Sequence, residues 1–141
     1  MSRSRSVCRS GTTVTAIAGG GQYSLALTSS GQVLAWGFNS NGQLGNGSTT
    51  SSNIPVQVSL PVSTVVTAIA GGYRHALALT SRGQVLAWGS SGQGQLGNGT
   101  TTSSSTPVAV SLPSGTTVTA IAGGGGHSLA LTSTGQILAC S

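Results

Sequence analysis

The 141-residue chain has no Asp and no Glu, and its five basic residues are all arginines, so only 4% of it is charged against roughly 25% in an ordinary soluble domain. That single absence removes whole classes of chemistry. Without a carboxylate there is no Ser-His-Asp triad, no pair of acids for glycoside hydrolysis, and no anionic oxygen cage for Mg²⁺ or Ca²⁺. Cysteine is almost as scarce: Cys8 and Cys140 lie near opposite ends and belong to no recurring spacing. Two such thiols make neither a disulfide framework nor a zinc site, so no metal and no cofactor are expected. Aromatic residues are 4% of the chain, and no apolar run approaches the length of a membrane-spanning helix. Membrane insertion is therefore not expected. Residues 1–9 are basic but lack the apolar stretch of a secretory signal, and they are expected to form a disordered leader.

The formal charge of +5 reflects missing acids more than a basic face. Only Arg74 and Arg82 fall outside the leader, and two separated arginines make a poor phosphate-tracking surface, so direct nucleic-acid binding is not expected.

What the chain does have is a repeat. Ile17, Ile69 and Ile121 stand 52 residues apart, as do Gly31, Gly83 and Gly135, while Trp36 and Trp88, Leu44 and Leu96, and Pro55 and Pro107 keep the same interval. Over residues 14–37 against 66–89, 19 of 24 positions are identical. The differences are Gly21/Tyr73, Gln22/Arg74, Tyr23/His75, Ser24/Ala76 and Ser30/Arg82, four of them in one turn. The units are placed at residues 10–61, 62–113 and, incomplete, 114–141. Each reads as short β-branched segments bounded by Gly, Ser, Asn or Pro, which predicts strands A, B, C and D at residues 14–18, 23–28, 33–36 and 56–59. The third unit supplies A, B and C. Along strand B, Tyr23, Leu25 and Leu27 alternate with Ser24, Ala26 and Thr28, giving one bulky face and one small face suited to stacking. The fold class is therefore all-β: a partial β-propeller of consecutive four-stranded antiparallel blades on a 52-residue repeat.

The residues Ala18-Gly19-Gly20, His75 and His127, Gly31-Gln32-Val33 before Trp36-Gly37, Gly42-Gln43-Leu44-Gly45, Pro55 and Val58 resemble the regulator of chromosome condensation repeat. The resemblance runs over residues 14–141. It implies blades of a seven-bladed propeller, which would need about 364 residues at this spacing. The chain is thus expected to be a fragment of a longer propeller, self-assembly into a ring being the alternative. The family includes an exchange factor for a small nuclear GTPase that also binds chromatin, many interaction platforms, and bacterial relatives among which is a β-lactamase inhibitor.

Candidate chemistry fails on context. Gly92-Gln93-Gly94-Gln95-Leu96-Gly97 matches a dinucleotide fingerprint, but an Asn-Gly turn and a Thr/Ser run follow where a helix should, and no acid exists for the ribose. His75 and His127 have no carboxylate to orient them, and Trp36 and Trp88 recur as core residues do. No catalytic residue and no small-molecule substrate are expected. The units differ most in the A–B turn and at the start of the C–D loop, which share a rim, so Gln22, Tyr23, Phe38, Asn39, Arg74 and His75 are the candidate contacts for a protein partner of unknown identity. The expected function is a non-catalytic interaction scaffold. The alternatives are a guanine-nucleotide exchange factor or chromatin-binding regulator, and a truncated fragment with no independent function. Self-association through open blade ends is a further expectation.

Overall fold

A computed structural model describes residues 13–140; the leader expected at residues 1–9 lies outside the described residues. β-branched and small residues broken by glycine give eleven strands and, among the described residues, no helix. The first unit holds β1 (Val14–Gly19), β2 (Tyr23–Thr28), β3 (Val33–Gly37) and β4 (Ser52–Gln57); the second holds β5 (Val66–Gly71), β6 (His75–Thr80), β7 (Val85–Gly89) and β8 (Ser104–Ala109). β9 (Val118–Gly123), β10 (Ser128–Thr132) and β11 (Ile137–Cys140) form the third. Each unit is a separate antiparallel sheet with its strands in sequence order, as expected of stacked blades; they do not form a closed propeller.

Strand D differs from its expected position. It starts four residues earlier than residues 56–59 and places Pro55 inside the strand, with Val56 opposite Ala35 and Gln57 opposite Leu34. The physical reason is its position at the sheet edge. Proline lacks an N–H, but an edge strand has one side with no neighbour to bond, so Pro55 and Pro107 interrupt nothing there.

Strand alternation now becomes packing. Leu25, Leu27, Val33 and Ala35 of the first blade press on Ala76, Ala78, Leu86 and Trp88 of the second, all buried in one cluster. Leu77, Leu79, Val85 and Ala87 of the second blade repeat the contact, with Ala130 and Ile121 of the third packed against them. Every junction therefore puts the bulky face of one blade on the small face of the next. Trp88, completely buried, donates its indole N–H to the Gln43 carbonyl at 2.9 Å, tying the second blade to the C–D loop of the first. Gly45 makes room for that ring: a Cβ there would lie 2.8 Å from it, and its φ of 67° suits glycine.

Equivalent residues have different fates at the two ends. Ile17 is 79% exposed whereas Ile69 is half-buried, and Ile137 is 71% exposed whereas Val33 and Val85 are buried. Replacing Leu77 by Ala should thus cost about 2–5 kcal/mol, since it empties a filled junction. Leu129→Ala, one repeat later on an open face, should cost under about 1 kcal/mol. Urea denaturation at low protein concentration checks the pair; equal losses would show that blade stacking does not carry the stability.

Candidate functional site

The A–B turn is closed by the Gly20 N–H donating to the Tyr23 carbonyl at 2.9 Å, and the same bond recurs from Gly72 to His75 at 2.8 Å. The chain leaving β3 is held beside this turn, because the Phe38 N–H donates to the Gln22 carbonyl at 2.9 Å. Ser90 and Arg74 repeat that bond at 2.9 Å. Neighbouring turns are joined in turn: Gly21 N–H donates to Tyr73 carbonyl at 3.0 Å, and Tyr73 N–H to Gly124 carbonyl at 3.0 Å. Turns and loop starts of successive blades thus form one rim with a pinned main chain.

On this rim the six candidate residues divide. Gln22, Phe38 and Arg74 are exposed, Phe38 by 40% of its surface. Tyr23, Asn39 and His75, expected at a partner surface, are instead interior. Asn39 organises the C–D loop: its Nδ2 donates to the Ser48 and Thr50 carbonyls, both at 3.0 Å, and its Oδ1 accepts the Leu44 N–H at 2.8 Å. Ser91 holds the equivalent place with longer contacts, accepting from the Leu96 N–H at 3.4 Å. A partner could reach Asn39 only by opening the loop.

Tyr23 and His75 point into the junctions because they begin the bulky face of strand B. The Tyr23 hydroxyl meets the main-chain carbonyls of Gly72 and His75 on the next blade. Burial pushes its phenol well above the ordinary value, with the bond to Gly72 partly opposing. His75 Nε2 lies 2.9 Å from Ser128 Oγ, and that hydroxyl donates its proton to the Gln95 carbonyl at 2.7 Å. The single hydroxyl proton being committed, the network assigns the N–H of the ring to Nε2. His75 Nδ1 is buried and unpartnered, so a second proton would create an N–H with no acceptor. Burial accordingly lowers the His75 pKa, with the main chain of His127 opposing and the His127 ring charge adding to the shift. Where the first junction sets Tyr23 among partners that include Ala76, the second sets the smaller His75 against Ser128. The sequence difference read as surface variation is a paired change in packing.

The sequence reading missed Tyr73 as a contact residue. It is half-exposed, and the Arg74 guanidinium carbon sits 5.3 Å from its ring centroid, a cation–π stack on the rim. The signal was the change from Gly21 to Tyr73, the largest gain of side chain between the units. Among the described residues, no group of three His, Cys, Asp or Glu could hold a metal ion. The Cys140 thiol is half-buried, and burial raises its pKa. Among the described residues, no helix is long and apolar enough to cross a membrane.

Stacked antiparallel blades joined at one rim define the class: this is a β-propeller-type repeat protein. The chain belongs to the regulator of chromosome condensation repeat family, whose repeat model matches residues 30–79 and 82–131. A second model of the same repeat matches residues 14–43 and 66–95. The first pair of matches runs from before β3 into β6, and from before β7 into β10, so each matched unit crosses a blade junction. Among known proteins, the chain is 37% identical over 124 residues to the mitochondrial RCC1 domain-containing protein RUG3 of Arabidopsis thaliana, covering 88% of this chain and 28% of that protein. It is 42% identical over 113 residues to the human E3 ubiquitin-protein ligase HERC2, covering 80% of this chain and 2% of that one. The chain therefore spans under a third of the curated relatives it matches. Of solved structures, human WBSCR16 is similar with a TM-score of 0.84 and 26% identity, over 89% of this chain and 32% of that chain. Prp20p of Saccharomyces cerevisiae, studied for its binding to Gsp1p and histones, is similar with a TM-score of 0.77 and 25% identity, over 89% and 32%.

The histidine network predicts a pH dependence. Above about pH 6.5, the ordinary histidine value, the ring is neutral in both states and the junction has its full strength. As pH falls below that value, the unfolded chain takes up a proton that the folded chain resists, so stability declines towards the lower folded pKa. Urea midpoints measured from pH 8 to pH 5, on the order of one unit apart, should fall only once the pH drops below about 6.5, and His75→Gln should flatten the profile. In the same assay His75→Tyr should cost about 1–3 kcal/mol by overpacking against Ser128. Adding Ser128→Ala, which recreates the Tyr23 and Ala76 pair, should recover part of that loss, a coupling of about 0.5–3 kcal/mol.

Proposed function

We propose that this chain is a non-catalytic protein-interaction scaffold whose contact surface is the rim formed by Gln22, Phe38, Tyr73 and Arg74. The observation that carries this reading is the exposure of Phe38, Tyr73 and Arg74 on turns whose main chain is fixed by hydrogen bonds within and between blades. Aromatic side chains and arginine dominate interface energies, and a fixed backbone reduces the entropy lost on binding. Arg74 stacked on Tyr73 suits a partner presenting a carboxylate beside an apolar surface. The buried Tyr23, Asn39 and His75 support the rim from beneath and make no contact of their own.

The likeness to Prp20p raises a second reading, exchange on a small GTPase or binding to chromatin. Charge argues against both for this chain. Histones are basic, and a surface with no Asp or Glu offers them no counter-charge. Exchange works by binding the nucleotide-free partner more tightly than the loaded one, and acidic contacts to support that difference are missing here.

Selection of binders from a displayed protein library on the immobilised chain tests the scaffold. Binders should lose affinity by about 100-fold against the Phe38→Ala/Tyr73→Ala/Arg74→Ala variant, since each truncation removes more than about 1 kcal/mol. Binders that hold both forms equally would place recognition elsewhere. In a fluorescent-nucleotide assay with Gsp1p, the chain should leave the release rate unchanged; saturable acceleration would establish the exchange reading in its place.

A further inference from the structure

The middle blade carries a second polar cluster, at the end of β6 away from Arg74 and Tyr73. Arg74 precedes that strand and Arg82 follows it, which puts the two arginines on opposite rims, roughly 20 Å apart. Here the connection from β4 to β5 and the turn from β6 to β7 enclose a cavity of about 100 Å³, lined by Ser63, Thr64, Ser81, Arg82 and Gln84 together with the buried Thr80. Its walls are fixed by the main chain. The Ser81 N–H donates to the Val65 carbonyl at 2.9 Å and joins the two segments. The connection is closed by the Thr64 N–H on the Pro61 carbonyl at 3.2 Å, and the turn by the Gly83 N–H on the Thr80 carbonyl at 3.0 Å. The first blade braces the connection through the Val66 N–H, which donates to the Gly31 carbonyl at 3.0 Å.

Two departures from the repeat meet in this cavity. The first is Arg82, which stands where the other units have Ser30 and Thr134. Those hydroxyls are spent within their own turns, Ser30 Oγ lying 3.0 Å from Thr28 Oγ1 and Thr134 Oγ1 lying 3.1 Å from Thr132 Oγ1. In the middle blade Thr80 Oγ1 instead accepts the main-chain N–H groups of Arg82 and Gln84, at 3.3 and 3.2 Å. The guanidinium takes no part in closing the turn. Among the described residues, neither it nor the side chains of Ser63, Thr64, Ser81 and Gln84 make a hydrogen bond. The second departure is Ser63, whose φ of 66° makes it the one non-glycine residue with positive φ among the described residues. The third unit has Gly115 at this place, with a φ of 80°, which is the residue such a turn favours. Serine there accepts backbone strain and places a hydroxyl-bearing side chain in the cavity wall.

We infer that this cavity is a binding site for a phosphate group. Its donors converge on a space of small-ligand size, and the chain has no Asp or Glu with which Arg82 could pair, so the counter-charge must come from outside. A guanidinium fork takes two oxygens of an oxyanion side by side. The hydroxyls of Ser63, Thr64 and Ser81 and the Gln84 amide add donors from both walls, which suits the three terminal oxygens of a tetrahedral group better than the two coplanar oxygens of a carboxylate. Because the walls are already hydrogen-bonded, binding orders side chains and little main chain. The phosphate could be free in solution or carried on a partner's side chain; the chemistry at the cavity is the same for both.

The test is a heteronuclear magnetic resonance titration of the ¹⁵N-labelled 141-residue chain at constant ionic strength, with inorganic phosphate, acetate and capped phosphoserine as probes. Phosphate should shift the Ser63, Ser81 and Arg82 amides and the Arg82 Nε resonance along one saturable curve, while acetate binds at least about tenfold more weakly. Arg82→Thr combined with Ser63→Gly, which gives the middle blade the residues of the third, should abolish the response and leave amide shifts away from the cavity unchanged. Ser63→Gly alone should weaken phosphate binding by a few-fold and raise the urea midpoint, because it removes a donor and relieves strain together. Arg74→Ala should leave phosphate binding intact, so this result is separable from that of the opposite rim. Capped phosphoserine binding at least about tenfold tighter than phosphate would assign the group to a partner's side chain, and equal affinity would assign the site to the phosphate group alone. The inference is overturned by the absence of a saturable shift, by equal binding of acetate, by a response that persists in the double variant, or by an Arg74 response as large as that of Arg82, which means general attraction of anions to arginine.

Discussion

The fit of a bulky sheet face onto a small one organises everything else in this chain. Leu25 and Leu27 enter the space left by Ala76 and Ala78, and Leu77 and Leu79 do the same at the following blade. An isolated four-stranded sheet with apolar residues on both faces has nowhere to hide them, so each blade depends on its neighbours for its core. That dependence constrains the strand faces. A charged side chain on a covered face would be buried in a junction without a partner, and a Cβ at Gly71 would hold the blades apart.

The junctions also dictate where polar groups go. Tyr23 reaches main-chain carbonyls of the next blade, His75 reaches Ser128, and the Trp88 indole reaches Gln43. Each contact gives the apolar stacking a direction, because a slip of one residue along the strands would leave the donor or acceptor buried and unpaired. Asn39 does the same within the C–D loop by holding the Ser48 and Thr50 carbonyls. Rigidity of the rim is a by-product of junction chemistry, and it leaves Phe38, Tyr73 and Arg74 free to differ between units without disturbing the core.

The variable and the repeated residues therefore occupy separate surfaces. The rim faces along the strand ends and carries the residues that vary; the end faces lie across the blades and carry the residues that repeat. A change at Arg74 leaves the junction beneath it intact, whereas Tyr23→His requires adjustment across the blade boundary. The same repeat occurs in relatives as different as a ubiquitin ligase and a mitochondrial protein.

The amino-acid sequence by itself determined the repeat, the blade and the strands A, B and C, because a period of two within a period of 52 depends only on which residues follow which. It also determined that these residues offer no carboxylate side chain, since an absent carboxylate is absent in any fold. Strand D was less legible: Pro55 marks a boundary in a central strand and is harmless at an edge, and edge position is a property of the sheet. The tertiary structure alone decided which of the variable residues are surface. Gln22 and Tyr23 are adjacent in sequence and point to opposite environments, solvent and junction, because side chains alternate along the chain while the neighbouring blade covers one face only.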